Sequence, residues 1–150
     1  MVNPMLNEGL PAFLASHPGL ESGLMMWQVT AAALTAELRV LASPASAGSI
    51  TTSGNKEDFV SMGMTAALKL RQAVELARTV LAIELIAASQ AIEFLRPLRS
   101  SPALEEFLAR LREHAPVRRG DFPGTASIHK VAEWISGWRS LPRPWAAGSF

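Results

Sequence analysis

Residues 57–94, EDFVSMGMTAALKLRQAVELARTVLAIELIAASQAIEF, decide the fold, because they contain no proline and a single glycine, Gly63. Their apolar side chains recur every three or four positions, as on one face of a helix: Val60, Met64, Ala67, Leu68, Val74, Leu81, Leu85, Ala88 and Ile92. A helix of that length, ended by Arg96-Pro97, spans about 57 Å. A compact chain of 150 residues is only about 40 Å across. The helix is therefore either kinked or packed against segments or chains outside this sequence.

A second long helix is predicted over about 21–42, where Pro44 stops it. Its apolar side chains leave almost no polar face: Leu24, Met25, Met26, Trp27, Val29, Ala31, Ala32, Ala33, Leu34, Ala36, Leu38, Val40 and Leu41. A helix that is apolar all the way round is typical of a helix enclosed by other helices. We therefore expect the isolated chain to be oligomeric or prone to aggregation.

A shorter helix is predicted over about 102–114. Ser101 stands at its N-cap and Pro102 occupies its first position, where the missing amide hydrogen costs nothing. Acidic residues fill its first turn and apolar residues its inner face: Glu105, Glu106, Phe107, Leu108 and Leu111.

The rest of the chain completes an all-helical prediction. A last helix is expected over about 127–136, stopped by Gly137, and residues 141–150 are expected to form an irregular tail. No stretch alternates between apolar and polar residues as a strand does. The sequence therefore predicts one all-α region over 1–150, a fragment of a long-helix bundle with a shorter C-terminal helical part.

Composition excludes several functional classes. The 14 Lys+Arg against 13 Asp+Glu give a net charge of +1, too balanced for general nucleic-acid or anionic-membrane binding. Cysteine is absent, so disulfides and thiolate metal sites are excluded, as suits a reducing compartment. The longest uncharged apolar stretch, 22–36, is shorter than the roughly 20 residues that span a membrane. We expect a cytoplasmic protein with neither a nucleic-acid nor a membrane partner.

Chemistry-bearing residues are few. The three histidines, His17, His114 and His129, are scattered and predict loop or surface side chains rather than a metal site. The small, polar loop 43–56 is longer than a connection needs. We expect Asn55 to cap the long helix. Carboxylates directly after such a cap, Glu57 and Asp58, are more typical of a helix start than of catalysis.

Several blocks, in order over roughly residues 8–115, nevertheless resemble one enzyme family. These blocks are SGLMMWQVTAAAL at 22–34, SPAS at 43–46, TSGNKED at 52–58, VSMG at 60–63, AIEL at 82–85 and RSSP at 99–102. Together they resemble the histidine ammonia-lyase branch of the aromatic amino acid lyases. The resemblance implies a helical homotetramer that eliminates ammonia from an aromatic α-amino acid to give the α,β-unsaturated acid, at active sites shared among subunits.

The resemblance implies only part of that enzyme. The family's electrophile is a methylidene-imidazolone made from an internal Ala-Ser-Gly, and its general base is a tyrosine. This chain contains neither; the nearest string is Ala45-Ser46-Ala47-Gly48. We therefore expect no cofactor in this chain, which resembles the C-terminal portion of such a lyase and is expected to be inactive alone. Its expected partners are further copies of itself or an N-terminal lyase segment.

One candidate site follows from the resemblance. Glu57 corresponds to the glutamate of the family motif Asn-Gln-Glu-Asp, which lines the substrate pocket and contacts the imidazole of histidine. Asn55 and Lys56 are further substrate-binding candidates; Lys56 replaces the usual glutamine and Phe59 the usual histidine. A related aromatic lyase or an aminomutase stays open as the activity. The alternative of a different class is a non-catalytic helical self-association module or a truncated gene remnant.

Overall fold

The computed structural model describes residues 5–7 and 9–138. Its helices and two short 3-10 turns follow one another along the chain: a turn at Ala12–Leu14, α1 at Met25–Leu41, a turn at Ala45–Gly48, α2 at Gly63–Phe94, α3 at Pro102–His114 and α4 at Thr125–Ser136. Within the described residues there is no β-strand. The all-α prediction is confirmed.

The longest helix, α2, has two unlike halves. It runs unbroken for 32 residues, which is about 48 Å at 1.5 Å per residue. Its C-terminal half is buried, with Ala82 at 0% and Ile86 at 5% exposure, whereas Met64 and Leu70 near its start are 75% and 65% exposed. The helix is thus not kinked, and its own chain encloses only its C-terminal half, so that the N-terminal half projects beyond the core.

The core surrounds the C-terminal half of α2. The first turns of α1, the inner face of α3 and one face of α4 pack there, and their buried members include Leu24, Trp27, Phe107, Leu111 and Val131. Aromatic rings join the helices: Phe107 lies 5.5 Å from Trp134 and 6.2 Å from Trp138, measured between ring centroids. Burial of these side chains is the main stabilising contribution to the fold.

The rest of α1 and the start of α2 form an antiparallel two-helix arm. Gln72 Nε2 donates to Glu37 Oε1 at 2.8 Å, and Lys69 Nζ donates to the carbonyl oxygen of Ser43. Only Trp27 of α1 is buried, and Val40 near its end is 71% exposed. The apolar faces that the sequence assigns to enclosed helices are open to solvent along this arm.

Both long helices begin later than predicted. The start of α1 moves from Glu21 to Met25, because Gly23 has a φ of 54°, which is not helical. The amides of Ser22 and Gly23 donate to the carboxylate of Asp121 at 2.9–3.1 Å. That carboxylate, 99 residues away from Ser22 in sequence, holds the segment ahead of the helix, and no side chain caps α1 itself. The start of α2 moves from Glu57 to Gly63.

The N-cap role predicted for Asn55 is wrong. The backbones of Thr52 and Glu57 pair, at 3.0 and 3.3 Å between nitrogen and oxygen, and so close a turn where the helix was expected to begin. Asn55 has a φ of 66°, which is not a capping conformation, and the residue before α2 is Met62 with a φ of 53°. Glu57 and Asp58 therefore lie ahead of the helix rather than in its first turn.

The two shorter helices match their predictions closely. The Ser101 hydroxyl accepts from the amide of Leu104 at 3.4 Å, and Pro102 occupies the first turn of α3. The fourth helix begins two residues earlier than predicted and ends at Ser136, before Gly137. The expected tail over 141–150 lies outside the described residues.

Candidate functional site

The candidate residues lie in the 49–62 loop, which follows the Ala45–Gly48 turn at the outer end of the arm and leads into α2. Two contacts close this loop. The amide of Val60 donates to Ser49 Oγ at 2.8 Å, and the paired backbones of Thr52 and Glu57 close a smaller turn inside it. The loop is therefore a defined structure even though its residues from 50 to 59 are exposed.

The smaller turn has an uncommon backbone. Ser53, Gly54 and Asn55 are consecutive, and all three lie in the left-handed region, with φ values of 57°, 63° and 66°. This conformation costs a residue other than glycine about 1–2 kcal/mol of stability, and asparagine tolerates it better than most. Such strain persists only where the surrounding contacts hold it, and it concentrates at functional sites.

Glu57 is held by two hydroxyl groups across this turn. Ser53 Oγ donates to Oε1 at 3.2 Å, and Thr52 Oγ1 donates to Oε2 at 3.4 Å. Within the described residues no cation pairs with this carboxylate. Each carboxylate oxygen therefore keeps acceptor capacity for a further donor.

The structure brings Asn55, Lys56 and Glu57 together in one turn but does not enclose them. All three are exposed. A cleft of about 430 Å³ lies elsewhere, between the N-terminal loop, the end of α2 and the loop after α3, and is lined by Ser16, His17, Gln90, Glu93, Phe94, Arg96, Val117 and Arg119. The described residues therefore form no enclosed pocket around Glu57.

Sequence reasoning missed the roles of Thr52 and Ser53. Both stand in the motif that carries the resemblance, but nothing in a single sequence distinguishes them from the other small polar residues of loop 43–56. The available signal was their spacing of five and four residues before a carboxylate, which a tight turn converts into contact.

Charged side chains cluster elsewhere as an ion-pair network between α2 and α3. Arg96 binds both oxygens of Glu105, at 2.9 and 3.0 Å, and pairs with Glu93, which also receives Arg112. Hydrogen bonding from Arg96 lowers the pKa of Glu105 to about 2. Every member of this network has a partner of opposite charge, so the network stabilises the junction between the helices rather than presenting a reactive group.

The described part of the chain holds neither a metal-binding cluster nor a membrane-spanning helix. No three His, Asp or Glu side chains there gather as a metal-binding group. Over the same residues, no helix combines the length and apolar character that crossing a membrane requires.

Comparison with known sequences identifies the family. The sequence model of the family described as aromatic amino acid lyase matches residues 1–113. Histidine ammonia-lyase from Koribacter versatilis is 60% identical over 116 residues, 77% of this chain and 22% of that protein. The enzyme of the same name from an Anaeromyxobacter strain is 57% identical over 91% of this chain and 26% of its own length. The chain thus spans about a quarter of the length of the relatives it matches.

Solved structures identify the same family as the sequences do. The crystal structure of histidine ammonia-lyase from Trypanosoma cruzi matches with a TM-score of 0.84 and 41% identity, over 90% of this chain and 26% of that one. Tyrosine aminomutase from Streptomyces globisporus matches with the same TM-score and 35% identity, over the same shares of the two chains. The chain belongs to the aromatic amino acid lyase family and corresponds to the C-terminal portion of its histidine ammonia-lyase branch.

Proposed function

We propose that this chain is the part of a histidine-type ammonia-lyase that supplies Glu57 to the substrate pocket. The observation that carries the proposal is the exposed, hydroxyl-anchored carboxylate of Glu57, in a chain 57–60% identical to histidine ammonia-lyases. In this role Glu57 accepts a hydrogen bond from the imidazole N–H of histidine. Asn55 and Lys56 lie beside it in the same turn and complete this edge of the pocket.

A carboxylate at this position favours histidine over an unsubstituted aromatic side chain. An imidazole N–H satisfies the carboxylate when the pocket closes and excludes water. A phenyl ring would leave it desolvated without a partner, which is costly. A site with a buried hydrogen-bonding group discriminates strongly against an analogue that lacks the matching group.

The elimination itself requires groups that this chain does not supply. Its sequence contains no Ala-Ser-Gly from which the family's electrophile is made, and no tyrosine to act as base. The residues of this chain can therefore neither form the electrophile nor act as the base. The chain's own contribution is to bind and orient the side chain of the substrate. We propose that it is inactive alone and acts in the cytoplasm as part of a homo-oligomer, together with the N-terminal lyase segment.

The test is a chimeric enzyme in which this chain replaces the matching segment of the Koribacter versatilis histidine ammonia-lyase. We expect it to convert histidine to urocanate, followed by the absorbance of the unsaturated acid. Glu57→Ala should lower kcat/KM for histidine by about 10- to 100-fold, the loss that one hydrogen bond to a charged group represents.

Two controls accompany this test. Asp58→Asn, a change to the neighbouring carboxylate that has no assigned role, should leave kcat/KM unchanged. The purified 150-residue chain should form neither urocanate nor cinnamate. Unchanged kinetics in Glu57→Ala, or elimination by the purified chain, would contradict the proposal.

An aminomutase of the same family is the second candidate activity. Its support is the likeness to tyrosine aminomutase and to the phenylalanine aminomutase of Pantoea agglomerans, which matches with 32% identity and a TM-score of 0.79. The products separate the two activities: a lyase releases the unsaturated acid and ammonia, whereas an aminomutase returns a β-amino acid. Chromatography of the chimera's products from histidine, tyrosine and phenylalanine decides between them.

A non-catalytic self-association module is the candidate of another class. Leu70, Val74 and Leu81 share one face of α2 and are 65%, 45% and 50% exposed. Such a row of exposed apolar side chains is typical of an interaction surface. This module would be favoured over the lyase if the chain self-associates and the chimeric enzyme has no activity.

A further inference from the structure

We propose that Thr52 and Ser53 are positioning residues, which orient the Glu57 carboxylate before a substrate arrives. The inference rests on the proposed function, because it concerns how the pocket carboxylate is presented. It adds two residues to the site and assigns each one a bond, from Ser53 Oγ to Oε1 and from Thr52 Oγ1 to Oε2.

The geometry explains why both hydroxyls are needed. A glutamate has three side-chain torsions, so an exposed glutamate samples many rotamers and loses that freedom when it is fixed. A single anchor would leave the carboxylate free to pivot about that bond. Two contacts of 3.2 and 3.4 Å, one on each oxygen, restrict both the position and the plane of the carboxylate.

The chemistry of the anchors also matters. A lysine or arginine would hold the carboxylate equally well, but it would neutralise the charge that attracts an N–H donor. Hydroxyl donors are neutral, so the carboxylate retains its charge and its remaining acceptor positions. A carboxylate that is already oriented loses less entropy when the substrate binds, so the substrate binds more tightly.

The backbone of the turn is what places the hydroxyls there. The left-handed residues 53–55 reverse the chain within four residues, so that Thr52 faces Glu57 across the paired backbones. In a helix that began at Glu57, neither the paired backbones nor this reversal would exist. The strain of Ser53 in the left-handed region thus accompanies a specific arrangement of the carboxylate.

The first test needs no activity. In the 150-residue chain carrying Leu70→Glu and Val74→Glu, two changes on the exposed face of α2 that favour the monomer, three-bond couplings measured by NMR report the rotamer populations of Glu57. This chain is the parent in the comparison. We expect one dominant rotamer in the parent chain and averaged couplings in the double variant Thr52→Val, Ser53→Ala. Matched controls in the same loop, Thr51→Val and Ser61→Ala, should keep the parent couplings. A single dominant rotamer in the double variant would overturn the proposal.

The second test uses the chimeric enzyme. Thr52→Val and Ser53→Ala should each raise KM for histidine by about two- to tenfold and leave kcat nearly unchanged, because part of the cost of ordering the carboxylate then falls on substrate binding. Thr52→Ser restores a hydroxyl and should restore KM. Ser53→Gly relieves the backbone strain but lacks the hydroxyl, so it should behave as Ser53→Ala. A normal KM in Ser53→Gly would assign the effect to the backbone and overturn the role of the hydroxyl.

The substrate dependence separates positioning from a general structural effect. The inhibition constant of phenylalanine, whose ring has no N–H donor, should not change in the hydroxyl variants, whereas loss of loop structure would change it together with the KM for histidine. If Glu57→Ala lowers activity on histidine while the hydroxyl variants do not, the positioning role fails and the proposed function stands. If Glu57→Ala itself has no effect, the proposed function fails with it.

Discussion

Replacing Gly124 by alanine tests how closely α4 packs against the first turn of α1. Gly124 is buried and directly precedes α4, with a φ of −92° that alanine adopts freely, so the backbone itself permits the change. A Cβ there would lie 2.7 Å from Cη2 of Trp27, with Cζ2 and Cε2 closer still. The whole effect of the substitution is therefore steric.

The magnitude follows from how firmly the indole is held. Trp27 is only 7% exposed, and it packs edge-on against Phe122 with ring centroids 5.6 Å apart. It has little room to move away from a new methyl group. Overpacking of this kind costs about 1–3 kcal/mol of unfolding free energy. For a chain of this size that loss lowers the thermal midpoint by about 2–12 °C.

Thermal and urea unfolding, followed by circular dichroism, measure this loss. Gly48→Ala is the matched control, because a Cβ at Gly48 would meet no atom within 4 Å. In a Trp27→Phe background, where the ring is smaller, Gly124→Ala should cost less than in the parent chain. An unchanged midpoint in Gly124→Ala, or the same cost in both backgrounds, would refute the packing described for these two residues.

The remaining predictions concern acid stability and association. Glu105→Gln removes a carboxyl whose pKa is lowered from 4.5 to about 2; a lowered folded pKa contributes stability that is lost as pH falls from 4.5 towards 2. Between pH 4.5 and 2, the thermal midpoint of Glu105→Gln should therefore fall less than that of the parent chain. The control Glu106→Gln, at an exposed carboxylate, should follow the parent. Identical pH profiles for Glu105→Gln and the parent would exclude a contribution of Glu105 to acid stability. Light scattering should find the parent chain oligomeric or aggregated, and Leu70→Glu with Val74→Glu should shift it towards monomer, because both side chains are exposed on α2. A parent chain that is monomeric at the outset would contradict this expectation.

Local sequence rules predicted the helices well where the end signals were local. Ser101 and Pro102 lie within one turn of the helix they start, and the structure places both as expected. The excess length of α2 over a compact domain also followed from sequence, because proline-free apolar periodicity can be counted directly. In the structure, this excess length appears as the arm whose apolar side chains are exposed to solvent.

The same rules failed at the starts of α1 and α2. At α1, Gly23 adopts a φ of 54°, and its amide and that of Ser22 donate to the carboxylate of Asp121, which lies 98 and 99 residues further along the chain. At α2, an Asn followed by two carboxylates has the chemistry of a helix start, but the backbone pairing of Thr52 with Glu57 forms a turn instead. Neither competitor can be recognised from the residues next to the helix end.

The sequence by itself determined the helical class, the two long rods, the family and the identity of the candidate carboxylate. The helical class and the two long helices depend on periodicity and proline placement, and so on interactions within a few positions of the chain. The family and the carboxylate follow from motif residues that occur in order. Only the tertiary structure decided how Glu57 is presented, because its orientation depends on a reversed backbone and on two hydroxyls brought across it. Contact across a turn or between distant segments is a property of the folded chain, in which packing outweighs the local preference of each residue.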